Sequence, residues 1–239
     1  RRHTRFRNVT GVQTCALPIS QGNALAQMAR GDAAMKAKDY DGALEAYKQA
    51  LTSDPSNARA RFQMCWIHNE RKQYALAVSQ LLEAQRLNAT NDVYTYELAY
   101  AYRNLKQPQD ALKWYLETVR LNAKRVNAQY WVGWTYNELR QYAEALPYLR
   151  EALRQKADDA AAAHELGYAY YRLKQHGEAI TAYEQAIKIR PDYVLALRGL
   201  GSTYLAVGRK ADAVELYKKL LPLDKEKADS LNAEIARAK

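Results

Sequence analysis

Six alanines recur along this chain with no insertion between them. They are Ala43, Ala77, Ala111, Ala145, Ala179 and Ala213, an unbroken period of about 34 residues. A period of that length argues against one globule with a single core. It calls for an array of similar units, each burying its apolar face only against its neighbours. Four residues after each anchor stands Tyr47, Leu81, Tyr115, Leu149, Tyr183 or Tyr217. Three further on comes Ala50, Ala84, Thr118, Ala152, Ala186 or Leu220. Steps of three and four keep these side chains on one face of a helix. Ala, Leu, Tyr, Lys, Glu and Gln dominate, and only 10 Gly and 6 Pro punctuate the chain. That composition favours helix throughout. Each unit holds two amphipathic helices joined by a short polar turn, such as Lys36–Asp39 or Lys106–Gln107.

Earlier in each unit lies a small residue: Gly31, Cys65, Ala99, Gly133, Gly167 or Gly201. Three residues beyond it comes Ala34, His68, Tyr102, Tyr136, Tyr170 or Tyr204. The small residue of the first helix should let the alanine of the second approach closely, with tyrosine filling the gap beside it. On these residues the chain resembles the tetratricopeptide repeat family from about Ala24 to the C-terminus. The resemblance implies an all-α fold: a right-handed superhelical solenoid of six antiparallel helix pairs plus a C-terminal capping helix. Units over 21–227 would start at 24, 58, 92, 126, 160 and 194, with the cap at 228–239. The family's proline at the end of the second helix survives only as Pro55 and Pro191, so helices lacking it are expected to run longer. Pro147 lies about one turn into a helix, near the limit of tolerance. Pro222 should stop the last second helix early. Gln27 and Arg30 weaken the first helix.

Arg1–Ser20 is different in kind. It carries four arginines, no acid and no helical or strand periodicity. Val9–Ile19, V-T-G-V-Q-T-C-A-L-P-I, resembles the translation of a common sequencing adapter. The segment is expected to be non-native or disordered and is left out of fold reasoning. Without it the formal charge of +10 falls to +6, since four arginines and no acids are removed. Cys65 is then the one cysteine left, so neither a disulfide framework nor a CxxC pair exists. No apolar run approaches the ~18 residues of a membrane span.

A second stripe runs along the first helix of each unit, called helix A here. Its fifth, ninth and twelfth residues lie roughly opposite the face that meets the second helix, helix B. In the resembled family that face lines a concave ligand groove. The fifth positions are Met28, Phe62, Tyr96, Tyr130, His164 and Arg198. The ninth are Asp32, Trp66, Tyr100, Trp134, Tyr168 and Ser202. The twelfth are Met35, Asn69, Arg103, Asn137, Tyr171 and Leu205. The four central units thus carry rings at nearly every fifth and ninth position. Trp and Tyr edged by Asn and Arg is the composition of binding hot spots. The expected ligand site is Phe62, Trp66, Asn69, Tyr96, Tyr100, Arg103, Tyr130, Trp134, Asn137, His164, Tyr168, Tyr171, Arg172 and Arg198. The competing reading is that these rings stack on neighbouring helices A and stiffen the array, as Trp131 would. Trp66, Asn69, Glu70, Gln73 and Tyr74 recur as Trp134, Asn137, Glu138, Gln141 and Tyr142. Glu97–Tyr102 recurs as Glu165–Tyr170, with Gly167 for Ala99. Units two and three therefore look duplicated as units four and five, which suits two similar subsites and an extended ligand.

Catalytic and metal signatures are missing. His164-Glu165 begins like HExxH, but Tyr168 stands where the second His belongs. His68 occupies a core tyrosine position, and Cys65 fills a small-residue slot. No cofactor is implied. Positive charge on the groove side is balanced by acids, so nucleic acid is a disfavoured partner. The family's carboxylate clamp is disfavoured too, since Met28 and Asp32 stand where its first Lys and Asn would be. The reading is a non-catalytic protein–protein interaction scaffold, holding an extended peptide or partner helix. Two alternatives stand beside it: a recognition array belonging to a larger enzyme, a glycosyltransferase or peptidase, and a glycan-binding groove.

Overall fold

The computed structural model describes residues 19–238. The adapter-like stretch up to Pro18 lies outside them. The described residues form thirteen helices and no strand. α1 (Ile19–Lys36) packs on α2 (Tyr40–Ser53), and α3 (Ala58–Glu70) on α4 (Tyr74–Leu87). α5 (Asp92–Asn104) packs on α6 (Pro108–Leu121), and α7 (Ala128–Glu138) on α8 (Tyr142–Gln155). α9 (Ala160–Arg172) packs on α10 (His176–Ile189), and α11 (Val194–Ala206) on α12 (Lys210–Leu220). α13 (Lys225–Arg237) lies against both α11 and α12. Each even-numbered helix also meets the next odd-numbered one, so helix pairs stack consecutively into an all-α solenoid. The odd-numbered helices α1 to α11 are helices A, and the even-numbered ones are helices B.

The alanine anchors are fully buried, as are Tyr47, Leu81, Tyr115 and Leu149, with Tyr183 almost so. The glycines of helix A serve a purpose slightly different from the expected one. A Cβ on Gly133 would lie 2.5 Å from Leu149 Cγ, and one on Gly167 would lie 2.8 Å from Tyr183 Cδ1. The small residue therefore clears space for the large residue of helix B, more than for the alanine. Gly201 does the same for Leu231 of α13.

The turns from helix A to helix B repeat one backbone device. Lys38, Lys72, Lys106, Arg140, Lys174 and Gly208 all take positive φ, between 57° and 77°. The amide after each donates to a carbonyl five residues back, for example Gln73 N to His68 O at 2.8 Å and Arg209 N to Tyr204 O at 2.8 Å. This is the left-handed closure that satisfies the last helical carbonyls. Five turns hold a long cationic side chain in a region that favours glycine, and only Gly208 uses one. Gly208→Ala is expected to lower stability by about 1 kcal/mol, read from the urea midpoint.

Helix B is 14 residues long in α2, α4, α6, α8 and α10 alike. The expectation of longer helices where proline is missing does not hold. Each of these helices closes on the same buried position. Asp54 N donates to Ala50 O at 2.8 Å, Asn88 N to Ala84 O at 3.0 Å, and Asn122 N to Thr118 O at 2.8 Å. Proline is compatible with this exit and is not required for it. α8 continues through Pro147. α12 stops at Leu220, two residues before Pro222.

Helix A of the fourth unit starts late. Asn57, Asn91 and Asp159 cap their helices by accepting from backbone amides at 2.9–3.1 Å. Arg125 stands at the equivalent place and has no oxygen to offer. Its guanidinium goes to Asp92 at 2.9 Å and lies 4.7 Å from the Tyr96 ring centre. α7 begins only at Ala128, after Asn127 in a left-handed conformation.

Candidate functional site

The fifth, ninth and twelfth residues of helices A separate into three environments. The fifth-position rings are largely spent on packing. Phe62 lies 5.3 Å from Tyr94 between ring centres. Tyr96 meets Tyr115 edge-on at 5.8 Å, and Tyr130 meets Trp131 at 4.8 Å. His164 sits between Tyr183 at 5.8 Å and Tyr193 at 5.4 Å. Burial pushes the Tyr96 and Tyr130 hydroxyls above the ordinary tyrosine range. Met28, the fifth residue of the first unit, is wholly in the core.

Among the ninth-position rings Trp66 is 38% exposed, while Tyr100, Trp134 and Tyr168 are half-buried, as are the fifth-position rings Phe62, Tyr96, Tyr130 and His164. Each of three meets a tyrosine that begins the preceding helix B. Tyr40 faces Trp66 at 5.9 Å, Tyr74 faces Tyr100 at 6.5 Å, and Tyr142 faces Tyr168 at 5.8 Å, all edge-on. These helix B tyrosines were not among the expected site residues. Their own 34-residue spacing was the signal that could have found them.

Two of the twelfth-position residues, Asn69 and Asn137, form rungs between neighbouring helices A. Asn69 Nδ2 donates to Glu97 Oε2 at 3.4 Å, and Asn137 Nδ2 donates to Glu165 Oε2 at 2.9 Å. The duplicated sequence thus produces a duplicated contact. It also withdraws Asn137 from the expected groove edge, since it is only 4% exposed. Burial holds the Glu97 carboxyl above the ordinary glutamate value of 4.5, against the lowering influence of Arg125. The folded chain therefore keeps that proton more tightly than the unfolded one, and stability falls as pH rises from about 4.5. Glu97→Gln is expected to raise the melting temperature near pH 7 and leave it almost unchanged near pH 4, a difference readable by calorimetry. Burial, with help from the Glu97 charge, also pushes the Cys65 thiol up and away from reactivity.

Two arginines lie among rings. The Arg103 guanidinium is 3.8 Å from the Trp131 ring centre, 5.2 Å from Tyr100 and 5.9 Å from Trp134. Arg172 is 4.7 Å from Tyr142 and 5.6 Å from Tyr168, and donates to the Tyr168 hydroxyl at 2.7 Å. Among the described residues neither has a carboxylate within ion-pair distance. Arg198 differs, because Glu234 of α13 holds it at 2.5 Å and Ser202 accepts from it at 2.7 Å.

Recesses bring part of the expected set together. One of about 350 Å³ is lined by Tyr168, Tyr171, Arg172 and Arg198, with Tyr183 and Glu234. One of about 310 Å³ is lined by Asn137, His164, Tyr168 and Arg198, with Glu138 and Glu165. A third, of about 330 Å³, joins Arg103 and Trp134 to Lys106, Pro108, Thr135 and Glu138. Phe62, Trp66, Asn69, Tyr96 and Tyr100 line none of these three. Tyr130 instead borders a recess of about 450 Å³ beside the late start of α7, with Lys124, Arg154 and Lys156. Among the described residues, no group of His, Cys, Asp and Glu could hold a metal ion, and no helix is long and apolar enough to cross a membrane.

Comparison with known proteins bears on this geometry at the level of fold and family. Models described as tetratricopeptide repeat match residues 34–95, 96–160 and 196–230, and one described as TPR repeat matches 167–208. No curated protein sequence matches the chain. Among solved structures, the chain is similar to YrrB, described as a TPR protein with an unusual peptide-binding site. Identity is 19%, the TM-score is 0.71, and 80% of this chain and 99% of that one are covered. It is similar to MamA from Desulfovibrio magneticus RS-1 at 24% identity and a TM-score of 0.68, covering 71% and 96%. A tetratricopeptide repeat protein from Parabacteroides merdae matches at 18% identity and 0.71, covering 91% and 87%. These likenesses show the solenoid fold and transfer no residue's role.

Proposed function

We propose, from the premise that the chain belongs to the tetratricopeptide repeat family, that it is a non-catalytic scaffold whose helix A face binds an extended segment of a partner protein. A protein-interaction role follows from the family. The finer reading, a groove floored by ninth-position rings, rests on one observation above all. Arg103 and Arg172 each sit against two or more aromatic rings at or beside that face and, among the described residues, have no carboxylate within ion-pair distance. A guanidinium held this way costs rotamer freedom and gains only a modest cation–π attraction within the chain. Its unused donors suit a carboxylate supplied by a ligand, in the planar geometry that arginine favours. Trp66, Tyr100, Trp134 and Tyr168 would supply apolar contact between those charges.

An extended peptide suits the arrangement better than a compact ligand. The rings recur once per unit along four consecutive helices A, so contact is spread along a line. YrrB is described as binding a peptide, which makes a peptide the first ligand class to test here. The test is selection of short random peptides on the full chain, followed by titration of the strongest against wild type and a Trp66→Ala/Trp134→Ala double variant. Binding by wild type with at least a tenfold loss in the double variant is the expected result. Equal binding by both, or no selected peptide at all, would overturn the reading.

A further inference from the structure

One junction in the array receives a ring without supplying its partner. At the junctions between units one and two, two and three, and four and five, a tyrosine opens helix B and packs edge-on against the ninth-position ring of the next helix A. These pairs are Tyr40 with Trp66, Tyr74 with Tyr100, and Tyr142 with Tyr168. Between units three and four the receiving ring is present as Trp134, but Pro108 opens helix B. Proline suits the first helical position, where its missing N–H costs nothing, so the helix starts normally. What is lost is the ring. A recess of about 330 Å³ takes its place, bounded by Arg103, Lys106, Pro108, Trp134, Thr135 and Glu138.

We propose that this recess is a slot for an aromatic side chain of the bound partner segment, with a neighbouring carboxylate of the same segment on Arg103. The proposal rests on the peptide-groove reading above and adds the chemistry of its central contact. The sister junctions show what shape completes the site, namely a tyrosine-sized ring meeting the ninth-position aromatic edge-on. Charge complementarity supplies the second element. Arg103 and Lys106 outnumber Glu138 at the rim, and among the described residues none of the three forms an ion pair with another. Arg103 is held against Trp131 at 3.8 Å, beside the slot. A ring entering from a partner would therefore find apolar contact and a cation side by side.

The decisive variant is Pro108→Tyr, which gives this junction the residue its sisters carry. The variant's own ring should occupy the slot, so the melting temperature is expected at or above that of wild type. Peptides selected on wild type from the random library should be enriched in Tyr or Phe next to Asp or Glu. They should lose at least tenfold in affinity for Pro108→Tyr. Selection on Arg103→Gln should keep the aromatic preference and lose the acidic one. Wild-type selection without aromatic enrichment, or equal affinity for Pro108→Tyr, overturns the slot while leaving the groove in place. Loss of all peptide selection, or indifference to the Trp66→Ala/Trp134→Ala double variant, overturns the groove and the slot together. Should Pro108→Tyr fail to fold, the Trp134 indole N–H resonance of wild type decides. It should shift with the selected peptide and stay still when that peptide's aromatic residue is alanine, and no difference between the two overturns the slot.

Discussion

Tyr183→Ala is expected to cost about 3–5 kcal/mol of stability, the range for removing a fully buried large side chain. Tyr183 is 1% exposed, and its hydroxyl is pushed well above the ordinary tyrosine range, chiefly by burial. Its ring fills the space left open by Gly167 on its own unit and Gly199 on the next, where added Cβ atoms would lie at 2.8 Å and 2.6 Å. Backbone on both sides lines the hole that alanine would leave, so little can collapse into it. The loss also falls on a junction between units. In an array whose stability is a sum of units and neighbour contacts, weakening one junction uncouples the helices on either side. Urea unfolding should show a lower midpoint and also a shallower transition, as unit six and α13 begin to melt apart from the rest. A midpoint within about 1 kcal/mol of wild type would mean that the glycine-lined space is not what the ring stabilises.

Trp134→Ala is expected to divide the properties of the array the other way. Binding of a selected peptide should fall by a factor of ten or more, corresponding to a loss of about 1.4 kcal/mol or above. The stability cost should stay below half that of Tyr183→Ala. Trp134 is half-buried, and its ring meets Trp131 edge-on at 5.6 Å with Arg103 5.9 Å away. Truncation removes that edge contact but leaves Trp131 stacked on Tyr115 at 6.2 Å, so the packing beneath survives. Titration calorimetry and a urea curve on the same sample separate the two effects. A stability loss equal to that of Tyr183→Ala, with peptide affinity intact, would make Trp134 a packing residue and remove the groove assignment.

The two variants also mark how far the sequence alone could be read. The Ala–Tyr–Ala steps of three and four name a helix face directly, because backbone geometry translates sequence intervals into angles. Tyr183 was therefore identifiable as core before any coordinates. The opposite face is harder. A residue pointing away from helix B can meet solvent or the next helix A, and the interval within one unit does not distinguish them. Phe62, Tyr96, Tyr130 and His164 satisfied the same periodicity as Trp66, which stays 38% exposed, yet burial reaches the Tyr96 and Tyr130 hydroxyls and His164 lies between two tyrosines. Asn137 looked like a groove edge and is a buried rung to Glu165. Arg198 looked like a ligand contact and is engaged by Glu234, 36 positions later in another element.

The sequence by itself determined the unit, its helical content, the residues that face the core and the stacking of six pairs. All of these follow from local periodicity repeated in register. Only the tertiary structure decided which second-face rings are spent on packing, which arginines lack a carboxylate, and where a ring is missing. Those depend for the most part on contacts between residues 19 to 36 positions apart, set by how one helix leans on the next. Pro108 shows the difference most clearly. In the sequence it is an acceptable first residue of a helix. In the fold it is the absence of a tyrosine opposite Trp134.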